Sequence, residues 1–275
     1  MKKILVPIDF STQSEYATKL AANIAEKSNS TVYLLHMVEL PTGIVDMGAG
    51  SNFSIPESMM YLRKVKERIG GIKKNIFNPE TVVKHAIRFQ NPHEGILTYS
   101  TKIKADLIIM GSKGMSDFDE MLIGSNTEKV VRTSKTPVLV VKNEIANFDF
   151  NDLVFASNFK EENTSSFEMF LEFATKFESR IHLLKVNTAH KFESTKVSKD
   201  KIIAFLKDFQ VPNYTINVYN DASIEKGILN FAAEIDANLI AISTHGRSGL
   251  SHLFNGSISK NLTKSALRPV ITFKI

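Results

Sequence analysis

Residues 105–109 read Ala-Asp-Leu-Ile-Ile, and residues 237–241 read Ala-Asn-Leu-Ile-Ala. The same spacing of 132 positions aligns several further pairs, namely Gly95-Ile96-Leu97 with Gly227-Ile228-Leu229, Gly114 with Gly246, Gly124-Ser125 with Gly256-Ser257, and Pro137-Val138 with Pro269-Val270. Nearer the amino end the spacing becomes 149, which aligns Ile4-Leu5-Val6 with Leu153-Val154-Phe155 and Phe10 with Phe159. Because these registers hold over many residues, the chain is predicted to contain two copies of one structural unit.

The two copies are predicted to span residues 1–143 and 150–275, separated by a stretch that Asn and Asp punctuate. The change of spacing means that the second copy lacks 17 residues between the positions of Met37 and Gly95. The first copy uses these residues for a segment from about Leu40 to Pro56 and for a longer helix. A length of 275 residues suits two domains of ordinary size.

The composition, 43% hydrophobic and 23% charged, is that of a soluble globular protein. The net charge of +5 is spread along the chain, which favours a solvated surface over a nucleic-acid site. Without cysteine there is neither a disulfide framework nor a thiolate metal site. No apolar run is long enough for a signal peptide or a membrane span, so the expected location is the cytoplasm, with no membrane partner.

Short apolar runs alternate with stretches of helical spacing along the first copy. Strands are predicted at Ile4–Ile8, Thr31–Val38, Thr81–Arg88, Asp106–Met110 and Pro137–Lys142, and helices at Ser14–Lys27, Glu57–Lys74, Pro92–Lys104 and Ser125–Ser134. Strands that alternate with helices imply right-handed crossovers and a parallel sheet covered on both faces. The predicted fold class is therefore α/β, with one such sheet in each copy.

A glycine-rich loop follows the fourth strand of the first copy. It reads Gly111-Ser112-Lys113-Gly114, and after nine further residues comes Gly124-Ser125 at the start of a helix. Glycine lets the backbone approach a ligand, and the free amides of a helix start favour phosphate. The spacing therefore predicts a clasp for a phosphate chain. The alternative is that the glycines are turn residues and Ser125 is an N-cap.

Asp9 follows the first strand and offers a carboxylate to a ribose hydroxyl or a metal ion. Its alternative role is the N-cap of the next helix. Three other carboxylates, those of Asp117, Asp119 and Glu120, lie between the two halves of the clasp. They would repel a triphosphate unless they point outward or a divalent ion intervenes.

These residues resemble a known family. The stretches that carry the resemblance are Val6-Pro7-Ile8-Asp9-Phe10-Ser11, Met110-Gly111-Ser112-Lys113-Gly114, Gly124-Ser125, Pro137-Val138-Leu139-Val140-Val141 and, in the second copy, Thr244-His245-Gly246-Arg247-Ser248-Gly249-Leu250. Together they are similar to the universal stress protein (UspA) family in its tandem two-domain form. The resemblance implies two five-stranded parallel-sheet domains of the Rossmann-like, adenine nucleotide alpha hydrolase-like type. It also implies that the domains pair through their last strands, and it leaves open a further homodimer.

The resemblance also implies a site. Members that keep the pattern of Gly111, Gly114, Gly124 and Ser125 bind ATP. By position, Asp9 would contact ribose or a nucleotide-bound Mg²⁺, and four further residues would flank or complete the adenine pocket: Pro7, Met37 through its backbone, Met110 and Asn126. The nucleotide could equally be ADP, AMP or a cyclic nucleotide.

The second copy departs from this pattern twice. Ser243 replaces the first glycine, and Asn158 stands at the position of Asp9. Because Gly246, Gly256 and Ser257 remain, we expect a weaker, degenerate site there. One good site in the first copy is the prediction.

Three functions stay open at this stage. The first is an ATP-binding stress-response regulator that is not an enzyme, although slow ATP hydrolysis is compatible with it. The second is an enzyme such as an ATPase, which lacks support because the chain has no Walker A sequence, no Gly-x-Ser-x-Gly elbow and no His-Glu-x-x-His motif. The third is a nucleotide-free scaffold that binds protein partners through the Met-rich segment around Met47, Phe53, Ile55, Met59 and Met60. That segment could equally cap the first copy's own sheet.

Overall fold

The computed structural model describes residues 1–38, 55–112, 123–145, 149–244, 261–263 and 265–275. The first copy contains β1 (Lys3–Ile8), α1 (Thr12–Ser28), β2 (Thr31–Val38), α2 (Ile55–Ile76), β3 (Val83–Phe89), α3 (Pro92–Ile103), β4 (Leu107–Gly111), α4 (Ser125–Thr133) and β5 (Val138–Val141). The second contains β6 (Asp152–Ala156), α5 (Thr164–Lys176), β7 (Arg180–Asn187), α6 (Thr195–Phe205), β8 (Tyr214–Asn220), α7 (Ile224–Glu234), β9 (Leu239–Thr244) and β10 (Val270–Lys274). The predicted elements of the first copy are confirmed to within two residues at each end.

Across the described residues, ten strands form one sheet in the order β3-β2-β1-β4-β5-β10-β9-β6-β7-β8. Within each copy the strands run parallel, as predicted. The copies join where β5 and β10 pair antiparallel, with Val140 opposite Val270. This is the pairing of last strands that the resemblance implied, and it merges the two five-stranded sheets into one. It also removes two exposed strand edges, which would otherwise invite aggregation.

Both faces of the sheet are covered, which explains why its strands are continuous apolar runs. Every residue of β4, β5 and β9 is buried. On one face a single apolar core extends across both copies and joins α1 and α2 to α5 and α6. The opposite face carries two smaller cores, under α3 and α4 in the first copy and under α7 in the second. The predicted site residues Asp9 and Gly111 therefore lie at the ends of buried strands.

Candidate nucleotide site

The strand order of the first copy places two loops side by side. The chain leaves β1 toward β2 on one side, whereas β4 lies on the other side of β1, so the direction of winding switches between β1 and β4. Ligands of open α/β sheets bind beyond the carboxyl ends of the strands at such a switch point. Asp9 follows β1 and Gly111 ends β4, so both border this point.

The two halves of the predicted clasp meet in space. The amide N–H of Gly124 donates a hydrogen bond to the carbonyl oxygen of Ser112 over 2.7 Å. The hydroxyl of Thr127 donates to the carbonyl oxygen of Gly111 over 2.9 Å, and this hydroxyl is buried. These two bonds fix the start of α4 against the end of β4. Lys113 and Gly114, with the carboxylates of Asp117, Asp119 and Glu120, lie outside the described residues.

The start of α4 has no side-chain cap. Gly124 is the N-cap, so the alternative that Ser125 caps the helix is wrong. Glycine has no side chain with which to accept the first amides of the helix, and no side-chain cap bond is formed. Ser125 is exposed and Asn126 half-buried, so both lie at the surface of the site. The first amides of α4 therefore have no side-chain cap, and the positive dipole end of this helix lies beside the end of β4.

Gly111 is required by a close approach of two backbones. A Cβ atom at this position would lie 2.7 Å from the carbonyl carbon of Gln13 and 2.8 Å from its carbonyl oxygen. The end of β4 thus packs directly on the first turn of α1. In the second copy Ser243 takes this position, and its hydroxyl hydrogen-bonds that of Ser166 in α5 over 2.7 Å. The second copy therefore has a hydrogen-bonded side chain at the position where the first copy has a close approach of two backbones.

Asp9 does not cap α1, so that alternative is also wrong. The N-cap is Ser11, whose hydroxyl oxygen accepts the N–H of Ser14 over 3.2 Å. Asp9 lies two residues earlier, and its Oδ1 accepts the N–H of Ser11 over 3.0 Å. Between them Phe10 adopts a left-handed backbone with φ of 66°, which is unusual for a bulky residue. The loop after β1 is therefore a tight, side-chain-supported turn.

The second copy forms the same turn without a charge. Asn158 Oδ1 accepts the N–H of Lys160 over 3.1 Å, and Phe159 has φ of 53°. The turn therefore needs a side-chain oxygen but not a carboxylate. The negative charge of Asp9 has no role in the turn that an amide could not perform.

The other residues predicted to border the adenine differ in how deeply they are buried. Pro7 is half-buried in β1, whereas the side chain of Met110 is buried in the core under α3 and α4. The side chain of Met37 lies against Gly95 at the start of α3, in the space that a Cβ atom would fill. Gly246, Gly256 and Ser257 lie outside the described residues.

His36 was not among the predicted site residues, although it borders the loop after β1. It is buried, and its Nδ1 lies 2.8 Å from the carbonyl oxygen of Ile8, so this nitrogen carries the proton. The ring packs on Phe10 with 4.7 Å between centroids, and the buried Nε2 has no hydrogen-bond partner among the residues that the structure describes. A histidine inside the apolar run of β2 was the sequence signal for it.

Two wider features of the described residues bear on the class of protein. They contain no cluster of three or more histidine, cysteine, aspartate or glutamate side chains placed to hold a metal ion. No helix among them is both long and apolar enough to cross a membrane.

A sheet that is parallel within each copy and covered on both faces, with Gly111 and Gly124 at the switch point of the first copy, defines a Rossmann-like α/β protein. The model of the universal stress protein family matches residues 1–142 and 199–274. The chain belongs to the universal stress protein family.

Relatives agree with this assignment. Universal stress protein MJ0577 of Methanocaldococcus jannaschii is 35% identical over 157 residues, which cover 51% of this chain and 94% of the relative. MJ0531 of the same organism is 33% identical over 149 residues, 51% of this chain and 82% of the relative. The solved structure of a universal stress protein from Archaeoglobus fulgidus superimposes with a TM-score of 0.73 and 20% identity, covering 99% of this chain and 96% of that one. The first two each match about half of the chain, and the third shares the fold of the whole.

Proposed function

We propose that this chain binds an adenine nucleotide in its first copy and acts as a stress-response regulator rather than as a fast enzyme. The observation that carries the proposal is the closed clasp, in which the Gly124 amide bonds the Ser112 carbonyl and brings an uncapped helix start against the end of β4. Family membership and the pattern of Gly111, Gly114, Gly124 and Ser125 support it. ATP is the proposed nucleotide, with ADP or AMP as close alternatives.

The proposed roles follow from position. The amides of Ser125 and Asn126 would bind phosphate oxygens, and Gly111 and Gly114 would let the backbone approach them. Asp9 would accept a ribose hydroxyl or orient Mg²⁺ held chiefly by the phosphates. Pro7, Met37 and Met110 would border the base. We propose residues 1–143 as the nucleotide-binding unit and residues 150–275 as a unit whose site is degenerate.

The stoichiometry of bound nucleotide tests this proposal. The purified chain is heat-denatured and the supernatant is resolved by ion exchange with ultraviolet detection, followed by titration of nucleotide-free protein with Mg-ATP. We expect about one adenine nucleotide per chain, since a single copy keeps the full pattern. Two per chain would assign a working site to the second copy. If no nucleotide co-purifies and Mg-ATP does not bind, nucleotide binding is refuted, and the hypothesis of a nucleotide-free scaffold for protein partners remains.

Replacing Asp9 with asparagine separates the two roles of this side chain. Asn158 supports the same turn in the second copy, so Asp9→Asn is expected to keep the fold, with Tm unchanged within about 2 °C. Nucleotide affinity is expected to fall about tenfold or more, because a hydrogen bond from ribose or a metal-bound water to a charged acceptor is lost. Calorimetric titration with Mg-ATP measures the change. Unaltered affinity would limit Asp9 to the turn.

A further inference from the structure

The second copy contains a cavity of about 400 Å³ beyond the carboxyl ends of β6 and β7. Its apolar lining consists of Ala156, Phe159, Leu184, Val186, Ile224 and Ile228. Its polar lining is dominated by four lysines and a single carboxylate: Lys160, Lys185, Lys191, Lys201 and Glu193. A volume of this size suits a small molecule.

One of these lysines is buried, which is rare without a partner. Lys185 is 8% exposed, and its Nζ donates to Glu193 Oε2 over 2.8 Å, to Ser198 Oγ over 3.1 Å and to Asn187 Oδ1 over 3.3 Å. Lys201 also donates to the Glu193 carboxylate. Hydrogen bonds from Lys185 and Lys201 lower the pKa of Glu193, so this carboxylate stays ionised at neutral pH. One negative charge thus faces four positive ones, and the cavity has a positive excess.

The first copy has a different charge at the matching positions. Pro7 pairs with Leu35 in the first copy and Ala156 with Leu184 in the second, so the registers correspond. Lys185 therefore stands where the first copy has His36, and Asn158 where it has Asp9. One substitution adds an ammonium group and the other removes a carboxylate, so both make the second site more positive.

The match to the family model also omits most of this region. The family model matches the first copy as far as residue 142 and resumes only at residue 199. Asn158, Lys185 and Glu193 all lie in the stretch that it leaves out. Most of the residues that line the cavity therefore lie outside the stretches that match the family model.

We propose that this cavity binds a small organic anion without the help of a divalent cation. The apolar body of the ligand lies on Val186 and Ile224, which are only half-buried, and its charged group is attracted to the lysines at the rim. Among the described residues the cavity has one carboxylate, that of Glu193, and two lysines bind it. The side-chain oxygen of Asn158 is held by the amide of Lys160 and by Asn163. The described lining therefore leaves no carboxylate to orient a hydrated cation, and lysine compensates the charge of the ligand.

An anionic fluorescent probe tests the proposal on the intact chain. Anilinonaphthalene sulfonate and its uncharged counterpart phenylnaphthylamine are titrated in EDTA. The variant Lys160→Ala/Lys191→Ala removes two exposed rim charges, and the control Lys66→Ala/Lys74→Ala removes two exposed charges from α2. We expect one sulfonate site per chain, weakened about three- to tenfold in the rim variant and unchanged in the control. Phenylnaphthylamine should bind more weakly than the sulfonate, and its affinity should be the same for the rim variant and the wild type.

A second variant locates the probe. Ile224→Trp places a large side chain at the half-buried rim of the cavity, and circular dichroism verifies the fold. We expect this variant to lose sulfonate binding. In a separate titration without EDTA, we expect saturating Mg-ATP to leave the wild-type sulfonate site intact. Retained binding in Ile224→Trp, an unaffected rim variant, or displacement by Mg-ATP would each overturn the proposal. The probe titrations in EDTA contain no nucleotide, so they test this proposal even if the first copy does not bind ATP.

Discussion

Replacing Gly124 with aspartate is expected to weaken nucleotide binding at least about a hundredfold while the fold is retained. Gly124 is the N-cap of α4, with φ of −62° and ψ of 142°, a conformation open to any residue. Aspartate is among the best N-cap residues, so helix stability should not suffer. Its carboxylate would bind the amides that the proposed phosphate needs and would repel the phosphate as well.

Two control variants test whether the effect of Gly124→Asp comes from the charge of the new side chain, from its size or from its position in the first copy. Gly124→Asn adds a side chain of the same shape without the charge, and we expect it to weaken binding less than about tenfold. Gly256→Asp makes the aspartate change at the matching position of the second copy and should leave the affinity of the first site unaltered. Calorimetric titration with Mg-ATP, together with circular dichroism, measures all three. If Gly124→Asp binds Mg-ATP as tightly as the wild type, the phosphates of the nucleotide do not lie at the start of α4.

Replacing Gly111 with valine is expected to destabilise the protein by at least about 2 kcal/mol. The new Cβ atom would lie within 2.8 Å of backbone atoms of Gln13, which cannot move aside as a flexible side chain can. The start of α1 would have to shift away from β4, and α1 carries part of the core that both copies share. Urea unfolding gives the change in free energy, and thermal unfolding should show Tm lower by roughly 4–8 °C.

The control for this prediction is Gly70→Ala in α2. A Cβ atom at Gly70 meets nothing within 4 Å, so alanine should stabilise the helix by about 0.5–1 kcal/mol. Opposite signs for the two variants would attribute the effect of Gly111→Val to the contact with α1 rather than to the loss of a glycine. If Gly111→Val were as stable as the wild type, α1 and β4 would not be as closely packed as the structure has them.

Several features of the site could be predicted because they depend on residues close together in the chain. The glycine pattern and the helix that follows Gly124 follow from local backbone preferences, and both predicted loops do border the switch point. The role of Asp9 in its turn was missed, because Asp9 and Ser11 each suit an N-cap and only the backbone geometry chooses between them. The burial of Lys185 was also missed. Its partners Asn187, Glu193 and Ser198 lie on different segments, and only the folded chain brings them together.

The sequence by itself determined the repeat, the alternation of strands with helices and the α/β class, since periodicity and apolar runs are properties of neighbouring residues. Only the tertiary structure decided how those elements meet. It placed Val140 of the first copy opposite Val270 of the second, and it brought the backbone of Gly111 against that of Gln13. It also gathered lysines around a cavity where the first copy has Asp9 and His36. These contacts join residues far apart in the chain, and their energies depend on distance and burial, which no local pattern encodes.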